Sequence, residues 1–409
     1  MAGQEASQRL LTASDCLLGK ESRVRRRAGS RAARRDLRHP VSRPTALSTG
    51  GELEDHRGMS QPADTVAGTV AEKAHVLAEH AQYLIATAAR APSVHNTQPW
   101  RFRVTRRAVE LWCDPGRKLH TDPIGREMLI SCGAALFGLR LAVRSLGYQP
   151  VVERLPDPSQ PRLLARVSVG AKAPMSALER QMLAAVPHRH THRGAFAAGA
   201  LPAGLLPGLQ NDALTEGATL AVVNEGLAYE RLAAIVVTAA RLGDLDPVAQ
   251  AEIRKWTRED SSTARDGVPA TALTAGPQAR VPHGQLRQRD FDLDRGLARL
   301  PADADADADQ AGAGRPKGTP PALTAILLTS GDRRTDWLRA GQALQRLLLH
   351  AASKWVFASL HTQPLEDPVT RALIRDRLGL PGQPQMLLQF GPAVTAASTP
   401  RRPPGELTS

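Results

Sequence analysis

Aromatic residues are scarce in this sequence. Phenylalanine, tyrosine and tryptophan together make up 3% of its 409 residues, whereas alanine, arginine, glycine and proline are abundant. We interpret this bias as that of a GC-rich genome and not as a sign of function. Cysteine is scarce as well, with only Cys16, Cys113 and Cys132. Such an odd, sparse set argues against a disulfide framework and is typical of a reducing compartment, so we predict a cytoplasmic location.

Other chemical signatures are missing too. No cysteines and histidines have the spacing of a zinc site, and no GxGxxG dinucleotide motif is present. The longest apolar runs, such as Leu232 to Ala240, are far too short to cross a bilayer, so we expect no membrane association. With 42% hydrophobic residues, the chain can nevertheless bury a normal globular core.

Positive charge is present in excess, but it is unevenly placed. The formal charge is +13, and the stretch from Lys20 to Arg43 has ten lysines and arginines against two acidic residues. This run could contact nucleic acid or another anionic surface. It contains no aromatic residue to stack on bases, and no apolar segment of a secretory signal follows it. We favour a disordered basic extension over residues 1–60, with Met59 as a possible true start, and expect no nucleic-acid partner.

Hydrophobic periodicity predicts a mixture of helices and strands after residue 60. A helix from Val70 to Ala88 is ended by Pro92, and alternation predicts a strand from Trp100 to Val104 with a hairpin partner at Ala108 to Trp112. Ser176 and Glu179 have the spacing of a capping box that opens a helix. The other predicted helices are Gly125–Gly147, Glu225–Leu242, Pro247–Trp256 and Trp337–Ser353, and the other predicted strands are VVERL, LLARVSV, Ala322–Ser330 and Gln385–Phe390.

An internal similarity relates two of these helices. The stretches that begin at Gly133 and Gly341 superpose without gaps, and six residue pairs coincide. Two leucine-rich helices can agree by chance, but the shared glycine favours a duplication. Glycine inside a helix costs about 1 kcal/mol relative to alanine. Its recurrence predicts a close backbone approach, either between the two helices or against a flat ligand.

A polar loop joins the first helix to the first strand. Its sequence from Pro92 to Trp100 is PSVHNTQPW, and its asparagine and glutamine offer both donors and acceptors of hydrogen bonds. The loop resembles the Pro-Ser-x-x-Asn-x-Gln-Pro-Trp motif of FMN-dependent nitroreductases. The stretches TDPIGREMLISCGAAL, GQPQMLLQFG and TPRRP resemble more specifically the Acg family of NAD(P)H nitroreductases.

The resemblance implies an α+β fold. Nitroreductases are typically homodimers with two FMN sites at the subunit interface, and the Acg type resembles two such subunits fused in one chain. We therefore expect two pseudo-repeated halves and no obligate second subunit. The expected organisation is a first half over residues 61–256, an irregular lid or linker over 257–321, and the remainder of the second half over 322–409.

The resemblance also implies which residues bind FMN. Ser93, Asn96 and Gln98 would supply polar contacts to the flavin ring, while Pro99 and Trp100, followed by Arg101, would stiffen and wall the turn. The alternative is a loop in which Asn96 and Gln98 satisfy backbone groups instead.

A second motif, HRHTHRGAF from His188, resembles the Arg-Arg-Ser-x-Arg phosphate motif of nitroreductases. Arg189, Thr191 and Arg193 match it, and His190 stands where a second arginine would be. Arginine suits a phosphate because its planar fork gives paired hydrogen bonds. A basic pair, Arg401 and Arg402, corresponds to residues that also reach the phosphate. For each of these arginines the alternative is a solvated surface charge. The alternating histidines of this stretch have no carboxylate or thiolate close by, so we expect no metal.

Two further features bear on the expected pocket, and the first of them departs from the family. Trp355 replaces a glycine that relatives use to turn after a helix, so it could fill space or obstruct the neighbouring pocket. The irregular segment, which includes the Ala-Asp repeat at Ala302 to Gly314, falls where this family's lid lies.

The implied activity is reduction of FMN by NAD(P)H, followed by reduction of a small nitroaromatic or quinone-like acceptor. The flavin carries such chemistry, so we nominate no catalytic side chain. The rival interpretation is a non-catalytic, flavin-sequestering or stress-response protein of the same fold, with a lid over a degenerate site.

Overall fold

The computed structural model describes residues 63–408, apart from 195, 198, 260, 274–285, 294, 296–321 and 394–398, and it describes side chains from residue 71 onward. The basic run at 20–43, the proposed start at residue 59 and the Ala-Asp repeat at 302–314 lie outside these residues.

The described part of the chain contains both helices and strands, and from Val66 onward it forms one compact unit. The helices are α1 (Ala63–Glu79), α2 (Ala81–Ala89), α3 (Arg126–Ser145), α4 (Ala177–Ala185), α5 (Leu205–Thr215), α6 (Gly226–Leu245), α7 (Pro247–Trp256), α8 (Arg334–Ala352), α9 (Gln363–Glu366), α10 (Pro368–Arg377) and α11 (Pro404–Leu407).

Eight of the described strands form two antiparallel sheets, so the predicted α+β class is correct. The first sheet has the order β1-β2-β4-β3, and the second has the order β5-β8-β10-β9. The strands are β1 (Trp100–Val104), β2 (Val109–Cys113), β3 (Tyr148–Arg154), β4 (Leu163–Lys172), β5 (Thr219–Val222), β6 (Thr257–Arg258), β7 (Val268–Pro269), β8 (Leu323–Thr329), β9 (Val356–Leu360) and β10 (Gln383–Pro392).

Several local predictions are confirmed. The predicted hairpin is the β1–β2 pair, with Trp100 opposite Cys113. The capping box is present, since Ser176 Oγ accepts from Glu179 N at 3.1 Å and the Glu179 carboxylate accepts from Ser176 N at 2.7 Å. The first predicted helix is wrong in one respect, because the backbone of His80 leaves the helical region (φ −101°, ψ 11°) and divides it into α1 and α2.

The two sheets share one topology. If the strands of each sheet are numbered in chain order, they lie side by side in the order first, second, fourth, third. One long helix follows the second strand in each case, α3 in the first sheet and α8 in the second. The second sheet starts earlier in the chain than the predicted boundary at residue 256, because Thr219–Val222 pairs with β8. The far C-terminal region returns to the first sheet, where Thr408 bridges to Phe102 on the edge strand.

Helices α3 and α8 cross with their backbones in contact. A Cβ built on Gly133 would lie 3.0 Å from Gly341 Cα and would overlap the Leu338 carbonyl oxygen. A Cβ built on Gly341 would lie 2.8 Å from Gly133 Cα and would overlap the Ile130 carbonyl oxygen. Of the two causes predicted for the recurrent glycine, the structure therefore shows approach between the helices.

The largest hydrophobic cluster contains residues of both crossing helices and both sheets. Cys113 and Cys132, the two cysteines in the described part, are free and buried within it. Helix α3 has the length and apolar composition of a membrane span, but most of it is buried inside the molecule, as expected for a core helix.

Substitution of Gly341 by alanine should destabilise the protein. The added methyl group meets fixed backbone atoms, and overpacking of this kind costs about 1–3 kcal/mol, which exceeds the roughly 1 kcal/mol gained from helix propensity. Urea unfolding of G341A measures the change in the free energy of unfolding.

The matched control is G243A in α6, where the new methyl group meets only the movable amide end of the Gln363 side chain. If G341A were as stable as G243A, the contact between the two helix backbones would not be as close as described.

Candidate functional site

The two sequence motifs, almost a hundred residues apart, meet at one cavity. Ser93 and His95 of the polar loop line it, together with Thr191 and Arg193 of the second motif. Helices α3 and α8 contribute apolar and polar residues, and segment 287–291 lines another side. The structure thus brings residues of both motifs to one cavity, while their contact with FMN stays a prediction.

The polar loop has an unusual backbone. His95, Asn96 and Gln98 have φ angles of 50°, 54° and 50°, all in the left-handed region. That region is unfavourable for residues other than glycine, although asparagine tolerates it better than most. Such strain persists only where surrounding structure enforces it, and it is concentrated at ligand sites.

Hydrogen bonds between the side-chain amides of the loop and backbone groups that are distant in sequence hold this conformation. Asn96 Nδ2 donates to the carbonyl oxygens of Gly267 (2.9 Å) and Pro400 (3.0 Å). Gln98 Nε2 donates to Arg265 O at 2.8 Å, and Gln98 Oε1 accepts from Arg402 N at 2.9 Å. Both amides are buried. The alternative considered for Asn96 and Gln98 is therefore what the structure shows: their side chains satisfy backbone groups and fasten the loop.

The other residues of the first motif have mixed positions. Ser93 lines the cavity, and its Oγ accepts from Gln98 N at 2.9 Å. Trp100 is fully buried in the core and does not wall the cavity, and the Pro99 carbonyl accepts from Cys132 Sγ at 3.3 Å. Arg101 is partly exposed and pairs with Asp114 at 3.1 Å. Trp100, Pro99 and Arg101 therefore support the loop from the side that faces away from the cavity.

Arginines of the second motif and of the C-terminal region form a positive cluster. Arg189 is buried and donates one hydrogen bond to Arg90 O (3.1 Å), while its Nε and Nη1 have no partner. Arg401 donates to Asn96 Oδ1 (3.0 Å) and Ala91 O (3.2 Å), and its Nε has no partner. Arg193 approaches from the cavity wall.

These arginines are close enough to perturb one another. Burial, followed by the charges of Arg90 and Arg193, lowers the pKa of Arg189 to about 10. Burial lowers the pKa of Arg193 to about 10 and lowers the pKa of Arg401 still further from its ordinary value. Within the described residues, no salt bridge to a carboxylate is formed by Arg90, Arg189 or Arg401. An anion would relieve this concentration of positive charge.

Arg402, the last predicted phosphate ligand, belongs to another environment. Its Nη2 donates to Glu406 O at 2.7 Å, and its Nε lies 3.5 Å from the Glu406 carboxylate. The side chain therefore holds α11 in place, and only its backbone N–H, bonded to Gln98, reaches the loop.

Part of the segment expected to form a lid contacts the cavity. Leu286 N donates to Gln389 Oε1 at 2.8 Å, and Arg289 pairs with Glu366. The Phe291 ring lies edge-on to His95 with 5.4 Å between ring centroids, and the Arg193 guanidinium is 5.7 Å from the Phe291 ring centroid. Phe291 thus lies between the polar loop and the arginine cluster.

Trp355 does not obstruct the pocket. Its side chain is 64% exposed and stacks on His188 at 5.0 Å, away from the residues that line the cavity. Its φ of 57° lies in the left-handed region that favours glycine, as expected at a position where relatives have that residue. His190 packs on the Phe357 ring, with 4.2 Å between the ring centroids.

Two polar residues that line the cavity were not nominated from the sequence. Both ring nitrogens of His95 and Oε2 of Glu127 are buried without a hydrogen-bond partner. Both residues lie in stretches that resemble the family. The sequence alone does not distinguish them from their neighbours there, and only the fold shows that they line the cavity.

Comparison with known proteins gives several relatives in sequence. The chain is 36% identical over 332 residues to the Mycobacterium tuberculosis protein named "Putative NAD(P)H nitroreductase Rv3131", covering 80% of this chain and 90% of that protein. It is 30% identical over 326 residues to "Putative NAD(P)H nitroreductase acg" of the same organism, covering 78% and 92%. No family model matches the chain.

Among solved structures, a nitroreductase with bound FMN from Desulfitobacterium hafniense overlaps 55% of this chain and 95% of its own. The identity is 12% and the TM-score is 0.31. An overlap at this score adds nothing to the relationship seen in sequence.

The stability of the protein should fall as the pH decreases from about 6.5 towards 4. Burial lowers the pKa of His361, which lines the cavity, to about 4, so this side chain stays neutral in the folded protein while it protonates in the unfolded chain. The unfolded state then binds more protons, and up to about 3 kcal/mol of stability is lost across this window.

Chemical unfolding of wild type and H361Q between pH 4 and 8 measures this effect. The difference in unfolding free energy between the two proteins should change with pH, whereas L373A, a change at an exposed leucine that cannot titrate, should differ from wild type by the same amount at every pH. A constant difference between wild type and H361Q would show that His361 does not titrate in this way.

Proposed function

The chain belongs to the NAD(P)H nitroreductase family, which confirms the resemblance seen in its sequence, and from that premise we propose that it is an FMN-dependent oxidoreductase. In this proposal NAD(P)H reduces FMN bound in the cavity, and the flavin then reduces a small nitroaromatic or quinone-like acceptor. The flavin supplies the hydride chemistry, while the protein positions it and tunes its surroundings. We place this activity in the cytoplasm.

The unpaired donors of Arg189 are the observation that carries the proposal. A buried guanidinium with two unsatisfied nitrogens is costly unless an anion accepts from them. Arg193 and Arg401 add to the same positive region, so these three residues would hold the phosphate group of FMN. Ser93 and Thr191 line the cavity beside them and could contact the cofactor directly.

In this proposal the side-chain amides of the polar loop have a supporting role. Asn96 and Gln98 would act on the cofactor indirectly, because they fix the loop that presents Ser93 and His95 to the cavity. Trp100 and Pro99 would support the same loop from the core. The cofactor is therefore expected to contact the outer face of the loop and not its amide side chains.

The fold supports a further part of the proposal, namely that the chain is two fused halves that need no second subunit. The common strand order of the two sheets and the paired glycines of α3 and α8 are what a duplicated unit would give. Light scattering on the purified chain should then give the mass of a monomer, and an obligate dimer would contradict this part of the proposal.

Flavin titration tests the proposed function. Added FMN should lose fluorescence saturably on binding, and NAD(P)H should then bleach the bound flavin. R189A and R193A should each weaken FMN binding by about 1.5–3 kcal/mol, the usual value of a hydrogen bond to a charged group. The matched control is R375A, which removes a surface arginine that pairs with Asp376.

The outcomes separate the candidate functions. Bleaching by NAD(P)H and reoxidation by a quinone establish the oxidoreductase. Flavin that binds but is not reduced indicates the sequestering protein instead, and no binding at any accessible concentration rejects both.

Removal of the Phe291 ring should strengthen FMN binding. The ring lies between His95 and Arg193 inside the cavity, so F291A vacates space beside the proposed phosphate ligand. The dissociation constant of F291A should be lower than that of wild type in the same titration. L373A, a change at an exposed surface leucine, serves as control. Weaker binding by F291A would instead show that the ring forms part of the flavin site.

A further inference from the structure

Glu127 is a buried carboxyl group with one oxygen that the protein does not use. It lies in the first turn of α3, lines the cavity and is 3% exposed. Oε1 accepts from Arg126 Nη2 at 2.9 Å, and Oε2 has no hydrogen-bond partner. A buried carboxylate oxygen without a donor is costly, whereas a carboxylic acid carries its own proton there.

The neighbouring guanidinium is shared among several acceptors. Arg126 also donates to Gln385 O (2.9 Å), Gln385 Oε1 (3.2 Å) and Leu365 O (3.1 Å). Glu127 therefore receives only one of its hydrogen bonds. This is weaker support for a negative charge than the paired geometry that stabilises carboxylates elsewhere in proteins.

With Glu127 itself, three carboxyl groups lie together with two guanidinium groups. The charged groups that face it are Arg126, Arg289, Glu366 and Asp122. Glu366 is bonded to Arg289 and to Thr362 Oγ1, and Asp122 accepts from Met128 N at 2.9 Å. Of these three acids, only Glu127 has a buried oxygen without a hydrogen-bond partner, so the proton that balances the set belongs on it.

Two histidines of the cavity do not reverse this balance. Burial lowers the pKa of both His95 and His361, so neither adds positive charge at neutral pH. Arg287 pairs with Asp244 at 3.3 Å, and Arg193 lies over Phe291. Burial, followed by the charge of Glu366, raises the pKa of Glu127 well above its usual range, in agreement with the inventory of hydrogen bonds.

We propose that Glu127 is held as a neutral carboxylic acid and donates the proton that accompanies reduction of the acceptor in this cavity. The proposal rests on the proposed function, since it concerns the acceptor half of that reaction. It supplies a proton donor in a chain for which the sequence nominated no catalytic side chain.

The step balances for a quinone. NAD(P)H is oxidised to NAD(P)+, and a bound flavin would pass on its hydride, which amounts to two electrons and one proton. The O–H bond of Glu127 breaks, and its proton completes the second hydroxyl of the hydroquinone. The Glu127 carboxylate that remains is stabilised by Arg126 and regains a proton from water through the mouth of the cavity.

Infrared spectroscopy of the full chain tests the charge state without any flavin. At pH 7, wild type should show the carbonyl band of a protonated carboxylic acid, and E127Q should lack it. E110Q is the matched control, because Glu110 is equally buried but ionised between Arg103 and Arg166. A band unchanged in E127Q would overturn the proposal and show an ion pair with Arg126.

A second variant keeps Glu127 itself intact. E366Q removes a neighbouring negative charge and frees Arg289. Both changes favour ionisation of Glu127, so the band should disappear at a lower pH than in wild type. The same titration midpoint in E366Q and wild type would contradict the charge balance described above.

Kinetics of the FMN-loaded protein test the donor. E127Q should keep its KM for quinone and its affinity for FMN but lower kcat by about 100-fold or more, the usual effect of losing a general acid. Wild-type kcat should fall as Glu127 ionises at high pH, and E127Q should lack that limb. Unchanged kcat and pH profile in E127Q would reject Glu127 as donor.

Failure of every variant and wild type to bind FMN would reject the proposed function and the donor with it, while the infrared result would still fix the charge state.

Discussion

The contact between the backbones of α3 and α8 sets the dimensions of this molecule. Because Gly133 and Gly341 have no side chains, the two helices cross at a separation that no other residue pair would permit. Ile130 and Leu344, each three residues from a crossing glycine, line the cavity. The crossing therefore fixes both the packing of the two sheets around the helices and the distance across the floor of the cavity.

Charge is distributed unequally around the cavity. Arg189 and Arg401 lie at a positive region whose donors exceed the acceptors that the described residues provide. At Glu127, by contrast, three carboxyl groups, Glu127 included, lie together with two guanidinium groups. A ligand with an anionic group and a separate reducible group suits both regions, and the low polarity of the buried walls strengthens each interaction. Phe291 and Arg289, from a segment that is remote in sequence, complete the enclosure.

The sequence predicted the features that depend on local patterns. Alternation identified β1 and β2, the Ser176 capping box identified the start of α4, and the recurrent glycine predicted close approach. Strand β9 was missed because the short apolar run VFASL after a helix has no period of its own. The direction of the Asn96 and Gln98 side chains could not be predicted, since an amide serves a ligand or a carbonyl equally well. Their partners, residues 265–267 and 400–402, become neighbours only in the folded chain. The same is true of Glu127, whose environment includes Glu366 and Arg289.

The hydrogen bond between Arg401 and Asn96 joins residues that are 305 positions apart. Closing so long a loop of chain carries a large entropic cost that must be met before the contact forms, and contacts of this kind form late in folding. During synthesis, residues 93–98 leave the ribosome long before residues 400–402, which hold their conformation, have been made. The strained loop that presents Ser93 and His95 is therefore completed only after residues 400–402 have been made, so the site matures later than the two motifs that line its cavity are synthesised.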